Sequence, residues 1–236
     1  MSIRLFLSQK IESNNTITLS KYHSHYLQKV MRCRVGDSIF VFNEVDGEWK
    51  SYISEFSKSG CVISVNLKIK EPFKPKQLFL AYAPTKQGCS LVVSQATELG
   101  VTDIIPVITE RTIVRKVNIE KLRQNVIEAV EQCERLDVPN VHDITDLNGL
   151  LSSCLFKGNL LFCNERCELK STALSLSDYG HCILVGPEGG FTDREKKDIE
   201  SFPRSISISM GKRILKAGTA IVASLSMYHS IYGKWE

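Results

Sequence analysis

Ile183-Leu184-Val185-Gly186-Pro187-Glu188-Gly189-Gly190-Phe191-Thr192 decides the reading of this chain. A short apolar run, of a length suited to a buried strand, passes directly into a turn of three glycines and a proline. Thr192 then stands three residues before Glu195, the spacing of a capping box that opens a helix. Glycines at the C-terminal end of a strand permit positive φ and let the backbone approach a ligand closely. Backbone N–H and C=O groups exposed there can read the edge of a flat heteroaromatic ring. The same features also describe a tight strand-to-helix turn with no ligand, and the stretch alone leaves both readings open.

A second stretch repeats the design. Ser207-Ile208-Ser209-Met210-Gly211 is a strand that ends in glycine, and the cations Lys212, Arg213 and Lys216 follow it. Small residues over 217–227 then form a helix. Two glycine-bearing loops at the ends of two strands can line one pocket; equally, three cations are what a solvated loop carries. Outward from these stretches the pattern alternates strand and helix. Strands are expected over 77–83, 103–108, 159–163, 181–186 and 205–210. Helices are expected over 90–99, closed by Gly100, and over 118–137. The latter places Ile119, Leu122, Val126, Ile127, Val130 and Cys133 on one apolar face, with Glu131 and Arg135 paired on the wet side. Such alternation predicts an α/β domain with a parallel sheet and ligands at the strand C-termini.

Glu71-Pro72-Phe73-Lys74-Pro75-Lys76 has the composition of a linker. It divides the chain into an expected domain over 1–71, a linker over 72–76 and a second domain over 77–236. Before the linker the runs are short and β-like: 38–42 after Gly36-Asp37, 48–56 after the hairpin signal Asp46-Gly47, and 61–69 after Gly60. One helix is expected over 20–31 with Ser20 as its cap. Several short strands and one helix in about 70 residues read as a small β-barrel.

The chain has 236 residues, of which 43% are hydrophobic and 24% charged, so disorder over most of its length is excluded. No apolar run approaches the roughly 18 residues of a membrane span, and Ile3–Leu7 is too short for a signal-peptide core, so a cytoplasmic protein is expected. Eight scattered cysteines, with no CxxC pair, read as reduced apolar residues and not as a metal site. Residues 1–75 hold 11 Lys and Arg against 7 Asp and Glu, a net +4, while 76–236 hold 19 of each. A basic front end on a neutral body fits an anionic partner, or a solvated surface with a chance imbalance. The signatures GxGxxG after the first strand, GxxxxGK[ST], GxSxG and HExxH are missing from the sequence.

Taken together these residues resemble the 16S ribosomal RNA (uracil-N3) methyltransferases of the SPOUT class, over nearly the whole length. Arg4-Leu5-Phe6, His25, Val30-Met31-Arg32 and Gly36-Asp37 are similar to that family's PUA-like barrel. Lys86, Gln95-Ala96-Thr97-Glu98-Leu99-Gly100-Val101, Thr109-Glu110-Arg111-Thr112, and Glu128-Ala129 with Glu131-Gln132 and Arg135 follow in the family's order. "GPEGGF" at Gly186–Phe191 and "GKRIL" at Gly211–Leu215 are the most specific matches.

The resemblance implies a trefoil-knotted C-terminal domain, a homodimer and S-adenosylmethionine as methyl donor. It places the cofactor on Val185, Gly186, Pro187, Glu188, Gly189 and Gly190, on Met210, Gly211, Ile214 and Leu215, and on a third loop at Cys163, Asn164 and Glu165. Transfer to uracil N3 needs alignment with the methyl carbon and stabilisation of a developing anion. Arg213 or Lys216 is the candidate cation; Glu188 is a candidate base, or a residue that serves backbone packing. Ribosomal RNA, free or in the small subunit, needs cations for its phosphates. Arg4, Lys29, Arg32 and Arg34 are candidates in the first domain, and Lys86, Arg111, Arg115 and Lys116 in the second; each is equally describable as a plain surface charge. Tyr22 and Tyr26 either stack a base or pack in the core. In one place the chain departs from the family's "ILR.ETA": it reads Ile214-Leu215-Lys216-Ala217-Gly218-Thr219-Ala220. The lost carboxylate leaves open a non-catalytic RNA-binding or ribosome-assembly protein, and action on another RNA is a further alternative.

Overall fold

The computed structural model describes residues 3–86, 88–164 and 180–232. By packing, the chain forms two units: Met1–Lys74 with Val130–Val138, and Pro75–Ala129 with Pro139–Glu236.

The first unit contains β1 (Arg4–Phe6), β2 (Thr16–Thr18), α1 (Lys21–His25), β3 (Ser38–Asn43), β4 (Gly47–Ser57) and β5 (Gly60–Lys70). The five strands form one mixed sheet in the order β1-β3-β4-β5-β2, in which β1 runs parallel to β3 and the other pairs are antiparallel. The sheet wraps a core of Leu5, Leu27, Ile39, Val41, Ile53 and Ile63, all nearly inaccessible. Gly47 turns the β3–β4 hairpin at φ +79, and a Cβ there would fall 2.2 Å from the Lys70 carbonyl oxygen, so only glycine fits. Ser20 caps α1 by accepting from the His23 N–H. The helix expected to continue regularly to Met31 instead widens into a single π turn over Tyr26–Val30, with the Met31 N–H donating to the Tyr26 carbonyl. Met31 caps that turn, and Arg32 after it takes a left-handed φ of 55°.

The second unit contains β6 (Leu78–Tyr82), α2 (Cys89–Glu98), β7 (Asp103–Ile108), β8 (Asn140–Val141), β9 (Thr145–Asp146), α4 (Leu147–Ser152), β10 (Leu160–Cys163), β11 (His181–Val185), α5 (Asp193–Glu200), β12 (Ser205–Ile208) and α6 (Ala217–Tyr232), and α3 (Ile119–Cys133) begins in it. The strands form a wholly parallel sheet in the order β12-β10-β11-β6-β7-β8, with β9 also pairing with β7. The central strands are buried along their whole length, as a sheet covered on both faces requires. The knot implied by the resemblance depends on the path from β10 to β11, of which residues 165–179 lie outside the described residues.

α3 is shorter than the sequence pattern predicts. α3 stops at Cys133, because Glu134 takes a left-handed φ of 63° and ends the helix. Nor do Glu131 and Arg135 sit on a wet face. Both are half-buried; Glu131 accepts from the Phe6 N–H at 2.9 Å, and Arg135 pairs with Asp137. α6, in contrast, runs to Tyr232, five residues past the expected end.

Candidate functional site

Parallel strands present their C-terminal ends on one edge of a sheet. β12, β10 and β11 are adjacent, so the loops that leave them meet. There they line an open cleft. β10 contributes Phe162, Cys163 and Asn164. β11 and its turn contribute Val185, Gly186, Pro187, Glu188, Gly190 and Phe191. The loop after β12 contributes Met210, Gly211, Arg213, Ile214 and Leu215.

The 186–190 turn is built around an aromatic floor. The Phe191 ring is buried and meets Phe162 edge-on, with centroids 5.2 Å apart. A Cβ on Gly186 would lie 2.5 Å from that ring, so the close passage of the backbone over Phe191 requires glycine. Gly190 closes the turn at φ 66, its N–H donating to the Pro187 carbonyl at 2.9 Å. The capping box then starts α5 as expected, with Thr192 and Glu195 exchanging side-chain and backbone bonds. On the facing loop Gly211 has φ 92 and open space around its missing side chain.

The cleft is therefore apolar at its walls and polar at its rim. Glu188 and Arg213 are exposed and Lys196 is half-buried, so charges of both signs surround the mouth. The Cys163 thiol is pushed up to about 12 by burial, while a bond with Ser224 acts in the opposite direction; a neutral thiol therefore faces the cleft at physiological pH. Such a site suits a ligand with one flat heteroaromatic part and one charged, flexible part.

Most of the residues expected at this site come together, but not all. Gly189 does not line the cleft; it faces Arg111. Lys216 is exposed and lies outside the lining, which leaves Arg213 as the cation of that loop that reaches the cleft. Glu165 lies outside the described residues. Phe162, Phe191, Lys196, Ala217 and Ala220 line the cleft although the sequence reading did not name them as ligand contacts. Phe191 had a signal, since it follows the glycine pair directly. Lys196 had a weaker one: it stands one helical turn after the Thr192 cap and so shares its face.

Among the cations expected to meet RNA, Arg4 is a correction. It is 5% exposed, pairs with Glu48, and donates to the carbonyls of Val130, Glu131 and Arg135. Its guanidinium also stacks over the Phe42 ring at 4.2 Å. A buried guanidinium engaged through all three of its nitrogens holds the fold and is not presented to a phosphate. Lys29, Arg32 and Arg34 are exposed on the π turn and the loop after it, beside exposed Tyr22, Val30 and Met31. Tyr26, in contrast, packs on the core. In the second unit Lys86 and Lys116 are exposed. Arg115 donates to the Glu110 carbonyl, and Arg111 to the Gly189 carbonyl at 2.9 Å. Among the described residues no group of three or more His, Cys, Asp or Glu side chains gathers as a metal ion would need.

Comparison with known proteins places this architecture. A family model of the RNA methyltransferase domain matches residues 72–229, and one of the RNA methyltransferase PUA domain matches residues 24–66. The chain is 36% identical over 231 residues to the Rickettsia conorii protein named ribosomal RNA small subunit methyltransferase E, covering 94% of this chain and 93% of that one. The chain belongs to this RNA methyltransferase family. Its fold matches the small subunit methyltransferase E of Neisseria gonorrhoeae, a structure bound to S-adenosylmethionine, with a TM-score of 0.88 and 24% identity over the full length of both chains. A Legionella pneumophila protein in complex with the same cofactor matches with a TM-score of 0.86 and 23% identity over 98% of each chain. Within this family frame, the cleft lies where the Gly186–Phe191 and Gly211–Leu215 stretches converge.

Proposed function

We propose that this methyltransferase moves the methyl group of S-adenosylmethionine to N3 of a uracil in the 16S ribosomal RNA of the small subunit. One observation carries the reading: "GPEGGF" and "GKRIL", distant in sequence, line a single cleft with the end of β10, in a chain of the RNA methyltransferase family. The cleft fits the cofactor. The passage over Phe191 that a Cβ on Gly186 would block gives a flat ring access to backbone, and Met210, Ile214 and Leu215 add apolar lining from the loop after β12. When bound, the sulfonium supplies an activated methyl whose leaving group is a neutral thioether.

The chain's own residues must then do the rest. The N3 proton must be lost, and Glu188, with its exposed carboxylate at the cleft, is the candidate to accept it. Negative charge develops on the uracil oxygens, and Arg213 at the same mouth is the cation to stabilise it. Lys29, Arg32 and Arg34 in the first unit and Lys86, Arg115 and Lys116 in the second neutralise RNA phosphates. The enzyme works as a cytoplasmic homodimer in this reading. Exposed Leu91 on α2, and Met227 and Ile231 on α6, are apolar positions that a second copy would cover, α2 and α6 being packed on each other. No described helix is long and apolar enough to cross a membrane.

The test is methyl transfer from labelled S-adenosylmethionine to protein-free small-subunit RNA and to intact small subunits. N3 lies on the pairing edge of uracil, so reverse transcription must stop at the modified base. Arg213→Ala is expected to lower kcat at least ten-fold with the cofactor Kd unchanged. Label without a stop would put the methyl elsewhere. No label on either substrate, together with no cofactor binding, would favour the assembly-protein reading that Gly218 raises.

A further inference from the structure

The turn that shapes the cofactor cleft is tied at two points to the loop after β7. Glu195 is 5% exposed. Its Oε2 accepts from the Thr192 N–H at 2.8 Å, which is all that a capping box asks of it. Its Oε1 accepts from the N–H of Glu110, 85 residues earlier, also at 2.8 Å. The next residue, Arg111, lays its side chain along Gly189, where a Cβ would stand 3.3 Å from the Arg111 Cβ, and its Nη1 donates to the Gly189 carbonyl. Thr109 and Thr112 hold the 109–112 loop itself, through the Thr109 N–H and both hydroxyls.

We propose that Arg111 is a positioning residue that couples RNA binding to cofactor binding; this rests on the function proposed above. Arg111 is exposed, and a guanidinium carries five donors in a rigid plane. Bonding the Gly189 carbonyl through Nη1 leaves the Nε–Nη2 edge oriented away from it, and that edge takes a phosphate through two parallel bonds. A phosphate held there fixes the side chain over Gly189, and so fixes the 186–190 turn that lines the cofactor cleft. Glu195 supplies the rigid second point, so that movement of the 109–112 loop is transmitted to the turn and not dissipated. By linkage the effect is reciprocal: RNA tightens the cofactor by the same factor by which the cofactor tightens RNA.

The experiment is calorimetric titration of S-adenosylhomocysteine, which permits no turnover. It is run on wild type, Arg111→Lys and Arg111→Ala, each with and without saturating protein-free small-subunit RNA. Thermal unfolding of each variant checks the fold, which an exposed side chain should leave intact. For the wild type, RNA should tighten cofactor binding about five-fold or more. Arg111→Ala should abolish the difference. Arg111→Lys should keep most of the RNA affinity but lose the coupling, because an ammonium has no planar fork to bridge carbonyl and phosphate. A merely structural role would weaken cofactor binding equally with and without RNA, leaving the ratio at its wild-type value, and that result overturns the proposal. So does a wild-type cofactor Kd that ignores RNA. Wild type that binds no S-adenosylhomocysteine in either condition overturns the enzymatic reading itself, a separate and recognisable failure.

Discussion

Replacing Arg4 by methionine tests whether this guanidinium holds the first unit or meets RNA. The Glu48 carboxylate is 3% exposed, and removing its partner leaves a buried charge whose remaining partner is Lys70, 3.2 Å from Oε2 and itself 42% exposed. The carbonyls of Val130, Glu131 and Arg135 lose their donor at the same time; the first two lie in the last turn of α3, where a cation also opposes the helix dipole. Breaking a buried pair by removing one partner costs about 3–5 kcal/mol. Lys70 and water reaching the outer two carbonyls recover part of any further loss, so about 4 kcal/mol is the expected cost. Urea unfolding in a Trp235→Phe background, followed by the fluorescence of Trp49, a core residue of the same unit, measures it. The double variant Arg4→Met with Glu48→Met should regain most of the stability, since an apolar pair of similar volume avoids the desolvation penalty. RNA affinity of the folded Arg4→Met protein should be unchanged. A loss below about 1 kcal/mol, or a fall in RNA affinity with stability intact, would refute the structural assignment.

Other perturbations follow from the same contacts. Gly186→Ala puts a methyl 2.5 Å from the Phe191 ring, so about 1–3 kcal/mol of strain is expected and cofactor binding should weaken at least ten-fold; an unchanged dissociation constant would contradict the floor described for the cleft. Burial lowers the pKa of His23 below its ordinary 6.5, and its Nδ1 is buried with no hydrogen-bond partner among the described residues. The unfolded chain therefore binds a proton more readily, and the stability due to neutral His23 is present above about pH 6.5 and is lost as the pH falls through the lowered value. Chemical unfolding between pH 7.5 and 5 should show a shallower decline in His23→Gln than in the wild type; parallel profiles would remove His23 from the account. Gly218, whose added Cβ would meet, among the described residues, only Val92 at 3.7 Å, is not required by packing, so Gly218→Ala in the first turn of α6 should stabilise the helix by up to about 0.5 kcal/mol in thermal unfolding. A loss would reveal a steric demand that the surroundings of Gly218 do not show.

Much of the fold was legible because local signals and tertiary demands agree. Asp46-Gly47 turns a hairpin in which no other residue fits between the strands, and apolar runs of five or six residues become the buried parallel strands β6, β7 and β11. The errors fall where tertiary contacts override periodicity. Apolar spacing runs through Cys133 toward Leu136, but Leu136 is buried as part of an irregular segment and not as a further helical turn. Arg4 misled for a related reason. A lone cation near a chain end looks like surface, and only the fold brings Glu48 and three carbonyls, up to 131 residues away, around it.

The site was legible in its backbone and less so in its charges. Glycines are readable because the conformations they allow are local properties, and Gly186, Gly190 and Gly211 indeed sit where close passage or positive φ demands them. Charged side chains carry no such local signature, since their role is set by what the strand order brings near. Lys212, Arg213 and Lys216 look alike in sequence, yet of the three only Arg213 reaches the cleft. The sequence offers Arg111 as an RNA-facing cation and does not single out Lys196, yet Lys196 lines the cleft and Arg111 grips Gly189. The sheet order β12-β10-β11 brings the three loops together at one edge, but which side chain of a loop enters the cleft is set by tertiary placement and not by residue type. Substitution of Arg213 should therefore act on chemistry at the cleft, whereas substitution of Lys212 should act, at most, on the salt dependence of RNA binding.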